Sequence, residues 1–228
     1  MYLSSIFLTL VSGFFLLLTG NFIGSIGVSI LCLITLVINT ILSLLIFYEV
    51  AISGSICSLE LFKWIDLGFI NVNIGLFFDQ ITSVMLLTVC FISMFVHMYS
   101  IEYMKMDPSY IRYMAYLSLF TFFMLLLVSA DNLIQMFIGW EGVGLSSYLL
   151  ISFWYTRILA NKAAIKAMLV NRVGDICLLI SISLIYILFV SFKYTVIFSL
   201  VENFIGYNIF LFGMHCNLLN LCGLFLFL

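Results

Sequence analysis

The chain has 228 residues, 65% of them hydrophobic, with eight basic and ten acidic side chains and a mean hydropathy of +1.32. A soluble domain carries about 25% charged residues, and the 8% found here cannot cover a water-facing surface. The composition specifies an integral membrane protein, and a net charge of −2 without a basic patch excludes a nucleic-acid binder.

A hydrocarbon core about 30 Å thick needs ~20 apolar residues per spanning helix. Six windows qualify, at residues 2–19, 26–48, 79–99, 112–130, 132–154 and 164–191, and a seventh apolar stretch runs from Tyr207 to Leu228. The predicted class is an all-α polytopic membrane protein with six full transmembrane helices and the start of a seventh. Met1-Tyr2-Leu3-Ser4 shows no basic leader and no cleavage pattern. The first helix is therefore expected to stay in the membrane. Between the second and third windows the period changes from helical to two. Ile70, Val72, Ile74 and Leu76 alternate with Asn71, Asn73 and Gly75, and Asp66-Leu67-Gly68 supplies turn residues. This predicts an extramembrane β-hairpin over 57–77 that packs against a neighbour. The expected organisation is two helices in 1–56, the hairpin in 57–77, and the remaining helices in 78–228.

Loop cations set orientation. Lys105, Arg112, Arg157, Lys162 and Lys166 fall on one side, against Lys63 and Lys193 on the other. The five belong on the negative side, which places the N-terminus on the positive one. Cys32, Cys57, Cys90, Cys177, Cys216 and Cys222 form no CxxC pair and no His/Cys cluster, and read as small hydrophobes.

Three ionisable residues lie deep inside predicted helices: Glu141, Arg172 and Asp175. Each costs about 2.5–3.5 kcal/mol at a helix centre on insertion scales, so lipid exposure is excluded and they face protein or a wet cavity. Arg172 and Asp175, three apart, share a helix face and can pair. That pair serves either as a helix staple or as part of a proton path. Glu141 has no cation on its own helix and sits in Gly139-Trp140-Glu141-Gly142-Val143-Gly144, whose glycines allow close helix approach or room for water. A buried carboxyl without a fixed partner can change protonation. A proton relay is the functional reading and a protonated hydrogen-bond donor the bland one. His97, near the basic-side end of its helix, reads as structural. Asp79 reads as a helix N-cap, and Glu102, Lys105 and Asp107 as a solvated turn. No role is assigned to His215. No phosphate loop, haem motif or iron–sulfur spacing is present, so the chain is expected to hold no redox centre.

The run Phe137-Ile138-Gly139-Trp140-Glu141-Gly142-Val143-Gly144-Leu145-Ser146-Ser147-Tyr148 resembles the fifth helix of the chain 5 family of mitochondrial NADH–ubiquinone oxidoreductase, respiratory complex I. Asn161 to Asp175, ending Asn171-Arg172-Val173-Gly174-Asp175, is similar to that family's sixth helix, and Val96-His97-Met98-Tyr99-Ser100-Ile101-Glu102-Tyr103-Met104 also resembles it. The resemblance implies an antiporter-like membrane-arm subunit that moves protons while NADH is oxidised by ubiquinone elsewhere in the complex. Glu141 matches the family's helix-five glutamate, whose partner is a lysine on a broken seventh helix. Arg172 and Asp175 match its helix-six pair. FMN, iron–sulfur clusters, NADH and ubiquinone belong to the complex, with no cofactor expected in this chain. The implied partners are other membrane-arm subunits and lipids, in the mitochondrial inner membrane. Leu221–Leu228 stops at the approach to the helix-seven break. A split gene, with a separate chain supplying the lysine and the rest, is therefore expected in preference to a truncation. An Mrp-type cation/proton antiporter subunit and a non-pumping scaffold are the alternatives.

Overall fold

The computed structural model describes residues 1–68, 70–204, 206, 208–211 and 214–227, without the side chains of 208–211 and 214–216. Among the described residues, five helices are long and apolar enough to cross a membrane. The first, α1, runs Tyr2–Phe47 and ends in a π-helical turn, Tyr48–Ile52. It is broken at Gly24, whose φ of 79° and ψ of 168° suit only glycine. The chain reverses there: Ile6 packs in one cluster with Ile46, and Leu16 in another with Val28. The break falls in the gap between the first two predicted windows. The helices α2 (Gln80–Tyr103), α3 (Tyr110–Val128), α4 (Leu133–Ile151) and α5 (Ile158–Phe189) follow the next four windows, with α5 starting six residues early.

The hairpin forms as β1 (Cys57–Asp66) and β2 (Asn71–Phe78), antiparallel, with bulges between Glu60 and Phe62 and between Lys63 and Ile65. Its inner residues Val72, Leu76 and Phe78 are buried, the last two against Ile46, Leu86 and Leu125. Along α2, Ser83, Leu86, Cys90, Ser93, His97 and Ser100 form one buried stripe at helical spacing. Small residues of this kind let helices approach closely where lipid gives no hydrophobic drive. Their hydroxyls bond carbonyls one turn back, as Ser93 does to Cys90 and Ser118 does to Met114.

The seventh apolar stretch departs from expectation. A short α6 (Tyr194–Leu200) leads through a 3-10 turn (Val201–Phe204) to strands β3 (Asn208–Leu211) and β4 (Met214–Asn217), then to α7 (Leu218–Phe227). Two four-residue strands therefore lie in that stretch, and the ten residues of α7 are too few to cross a bilayer. Leu218 and Cys222 pack on Ile182 and Ile185 of α5, and Ser181 Oγ donates to the Cys222 carbonyl at 2.9 Å. His215 and Cys216 lie outside the residues whose side chains are described.

The α3–α4 connector stitches one end of the bundle together. Phe77 N–H donates to the Ser129 carbonyl at 3.0 Å, Leu133 N–H to Phe192 at 3.1 Å and Tyr194 N–H to Asp131 at 3.3 Å. The connector thus bridges β2 and the segment that precedes α6, through the antiparallel pairs Leu76–Ala130 and Asn132–Lys193. Asn132 caps α4 by accepting from Gln135 N–H at 2.9 Å, and its Nδ2 donates to the Asn73 carbonyl at 2.6 Å. Lys193 pairs with Glu60 across the hairpin, which holds the Glu60 carboxyl below its ordinary value.

The opposite end gathers the two basic loops. Trp154 Nε1 donates to Asp107 Oδ2 at 2.8 Å, Arg112 lies 5.0 Å from the Phe153 ring centre, and Arg157 lies 5.1 Å from that of Trp154. Asp107 is therefore a tie between loops rather than part of a merely solvated turn. Hydrogen bonds from Ser109 and Trp154 hold its carboxyl below the ordinary range.

Candidate functional site

Helices α4 and α5 carry the three mid-helix charges Glu141, Arg172 and Asp175, and glycine sets how α4 lies. A Cβ at Gly139 would stand 2.7 Å from Leu127 Cα, and one at Gly142 would stand 2.1 Å from the Phe123 ring. These two glycines let α4 lie directly on α3. Gly144 faces the other way, where the nearest atom to its Cβ position is Asn171 Nδ2 at 4.0 Å. The close approach expected of the glycine cluster is made to α3, and the room it leaves opens towards α5.

A cavity of about 250 Å³ occupies that side, lined by Glu141, Gly144, Tyr148, Asn171, Arg172 and Asp175 among others. Arg172 stands between the two carboxylates. Its NH1 is 2.9 Å from Glu141 Oε1 and 3.8 Å from Asp175 Oδ2. The Arg172–Asp175 pair read in the sequence is present, and a closer one joins it. Arg172 pairs more closely across the helix seam with Glu141 than with its own-helix neighbour, so Glu141 is not without a partner. The reason is that α5 presents Arg172 towards α4, and the long guanidinium side chain spans the gap. Asp175 takes its shortest bond from Trp140 Nε1, at 2.8 Å. Its side chain is only 8% exposed, against 32% for Glu141 and 52% for Arg172. The deep carboxylate is fixed, and the cation and its nearer partner line an opening.

The sequence reading missed Trp140. An indole donates but never accepts, and its position next to Glu141 puts it within reach of the following helix, which is the signal that could have found it. Asp131, Asn132 and Gln135 were missed as well. The Asp-Asn pair ahead of an apolar run is a capping signature that could have been read.

The remaining candidates fall outside this cluster. His97 is fully buried, with Nδ1 2.8 Å from the Ser93 carbonyl. Asp79 caps α2 in a reciprocal box: Thr82 N–H donates to Oδ1 at 2.8 Å, and Asp79 N–H donates to Thr82 Oγ1 at 2.7 Å. Glu102 and Lys105 form an exposed pair at 3.6 Å. Among the described residues, no group of three His, Cys, Asp or Glu could hold a metal ion. Cys32, Cys90 and Cys222 are buried and unpaired by disulfide.

Residues 64–114 match the family described as the N-terminus of chain 5 of NADH–ubiquinone oxidoreductase (complex I). Residues 130–228 match the transmembrane family of NADH:quinone oxidoreductases and Mrp antiporters. The whole chain aligns at 47% identity with NADH–ubiquinone oxidoreductase chain 5 of Chondrus crispus and at 48% with that of Arabidopsis thaliana, covering 34% of each. The Triticum aestivum protein of that name is 51% identical over 87% of this chain and 30% of its own. The chain thus spans about a third of the length of the curated relatives it matches. A solved structure of the membrane-bound sulfane sulfur reductase, an archaeal respiratory membrane complex, superposes with a TM-score of 0.70 at 18% identity, over 82% of this chain and 37% of that one. That likeness shows the fold.

Proposed function

The chain belongs to the NADH–ubiquinone oxidoreductase chain 5 family, and on that premise we propose that it is a proton-translocating part of the membrane arm of respiratory complex I. In this reading Gly24 turns α1 into two passes, which brings the spans to six. Residues 78–228 then form part of an antiporter-like module. Other membrane-arm subunits and lipids surround it, and the basic loops face the matrix of the mitochondrial inner membrane. NADH, FMN, iron–sulfur clusters and ubiquinone act elsewhere in the complex.

The observation that carries the proposal is the position of Arg172, within ion-pair distance of both Glu141 and Asp175. A cation beside a carboxylate favours its ionised form, and its departure favours proton uptake. Movement of the guanidinium from Glu141 towards Asp175 lets Glu141 take a proton from the cavity, and its return expels that proton. Trp140 keeps Asp175 in place as the alternative anion, so the cation exchanges partners without being left alone in a low-dielectric site. A lysine of the kind the family carries would act on Glu141 in the same way from beyond the residues present. No electron passes through this chain in the proposal.

The test is Glu141→Gln in the assembled complex, reconstituted in liposomes. NADH oxidation in the presence of uncoupler persists, and proton translocation falls at least tenfold. Unchanged translocation would leave only the scaffold reading. The family shared with Mrp antiporters gives a second reading, cation/proton exchange without redox partners. Co-purification with flavin and iron–sulfur subunits separates it from the first.

A further inference from the structure

Where protons meet water at the hairpin end is a separate question, and a second buried carboxyl bears on it. Asp131 is only 6% exposed, in the connector just ahead of α4. Its Oδ2 lies 3.2 Å from where a Cβ would stand at Gly75, so glycine allows β2 and the carboxylate to approach closely there. Burial, opposed by Lys193, holds its proton more tightly than usual, and no hydrogen bond contributes. Gln135, one helical turn further on, is 2% exposed and accepts from Gly75 N–H at 3.0 Å. That bond fixes its amide orientation and aims Nε2 away, where among the described residues it has no hydrogen-bond partner. The Asp131 carboxylate and the Gln135 amide oxygen therefore meet at one glycine, with the orphan Nε2 on the same amide.

An orphaned amide N–H in a protein interior costs about 1–3 kcal/mol unless something bonds it, and a bridging water is the ordinary remedy. Next to this place, a cavity of about 300 Å³ is lined by Asp79, Ala130, Met136 and Tyr194. Its volume admits several waters. Glu141 lies ten residues beyond Asp131 along α4, about 15 Å at 1.5 Å per residue.

We propose that Asp131, bridged to Gln135 by an ordered water, is the group through which this chain exchanges protons with the aqueous phase at the hairpin end. The inference rests on the proton-transfer reading of Glu141. A hydronium arriving from the neighbouring cavity, which Ala130 and Met136 line beside Asp131 and Gln135, gives one proton to an Asp131 carboxylate oxygen and becomes water, and release is the reverse, with no electrons moved. The ionisable groups that act on Asp131 are Lys193 and Tyr194 around the start of α6 and Glu60 of β1. Tyr194 is pushed up to about 12 by burial and by Asp131 itself, so it stays protonated through the working range. Lys193 is the cation that opposes proton binding, and Glu60, its partner, tempers it.

The test uses the assembled complex in liposomes with Asp131→Asn, Asp131→Glu and Glu141→Gln side by side. Asp131→Asn is expected to cut protons moved per NADH at least fivefold, and Asp131→Glu to keep part of the flux. Wild-type translocation in Asp131→Asn alongside loss in Glu141→Gln overturns this inference and leaves the site at Glu141 standing. Wild-type translocation in both removes the reading on which it rests. Lys193→Met decides the matter even where Asp131→Asn fails to assemble. Removing the cation, and freeing Glu60, both raise the proton affinity of Asp131. The pH profile of translocation, varied on the hairpin side alone, should move up by about one unit. An unshifted profile overturns the inference.

Discussion

The hairpin end and the α4–α5 seam are built on opposite plans. At the hairpin end, backbone bonds join the α3–α4 connector and the first residue of α4 to both neighbouring segments, and side chains of Asn132 and Gln135 add to them. At the seam, one guanidinium and one indole hold two carboxylates beside an open cavity. The first arrangement fixes a helix start in space. The second leaves charge able to move against that fixed start. A proton carrier needs both, because a carboxyl can exchange partners reproducibly only if its helix does not.

The comparison can be broken most severely where α4 rests on α3. Gly139→Ala drives a methyl against the Leu127 backbone, and the overpacking should cost about 1–3 kcal/mol, read as a lower melting temperature with both regions disturbed. Next comes Asn132→Ala, which removes the α4 cap and the bond to Asn73 for about 1–2 kcal/mol. It should loosen the hairpin end first, seen as faster amide exchange at Asn73 and Gln135. Trp140→Phe tests the seam alone. It removes the Trp140 Nε1 hydrogen bond to Asp175 and should cut proton translocation several-fold, while stability falls by about 1 kcal/mol. The smallest effect belongs to the basic-loop end. The Asp107 carboxyl is held low by Ser109 and Trp154, so its stabilisation is present above the unfolded value near 3.9 and is lost as pH falls through the folded one. Asp107→Asn should lower the melting temperature slightly at pH 7 and flatten the acid limb measured from pH 6 to 3, so that variant and parent converge at the acid end.

The spans were legible because apolar length and charge avoidance are local properties of the chain. The hairpin was legible because Val72, Ile74 and Leu76 alternate with polar residues, and one face of that alternation meets the bundle. The partner of Glu141 was not legible in the residues. Spacing on α5 offers Arg172 to Asp175, and only the packing of α5 on α4 shows the guanidinium nearer Glu141. Asp107 escaped for the same reason, since its donor lies 47 residues away in Trp154. The strands Asn208–Leu211 and Met214–Asn217 were hidden because each has only four residues, too few to show a period.

The account turns on Glu141 changing its proton occupancy as the complex works. Infrared difference spectroscopy of the assembled complex, recorded before and after NADH addition, reads this directly. A carboxylic-acid C=O band should appear or disappear with turnover, be absent in Glu141→Gln, and be altered in Arg172→Lys. A band that persists unchanged in Glu141→Gln would contradict the assignment of the moving proton to this residue.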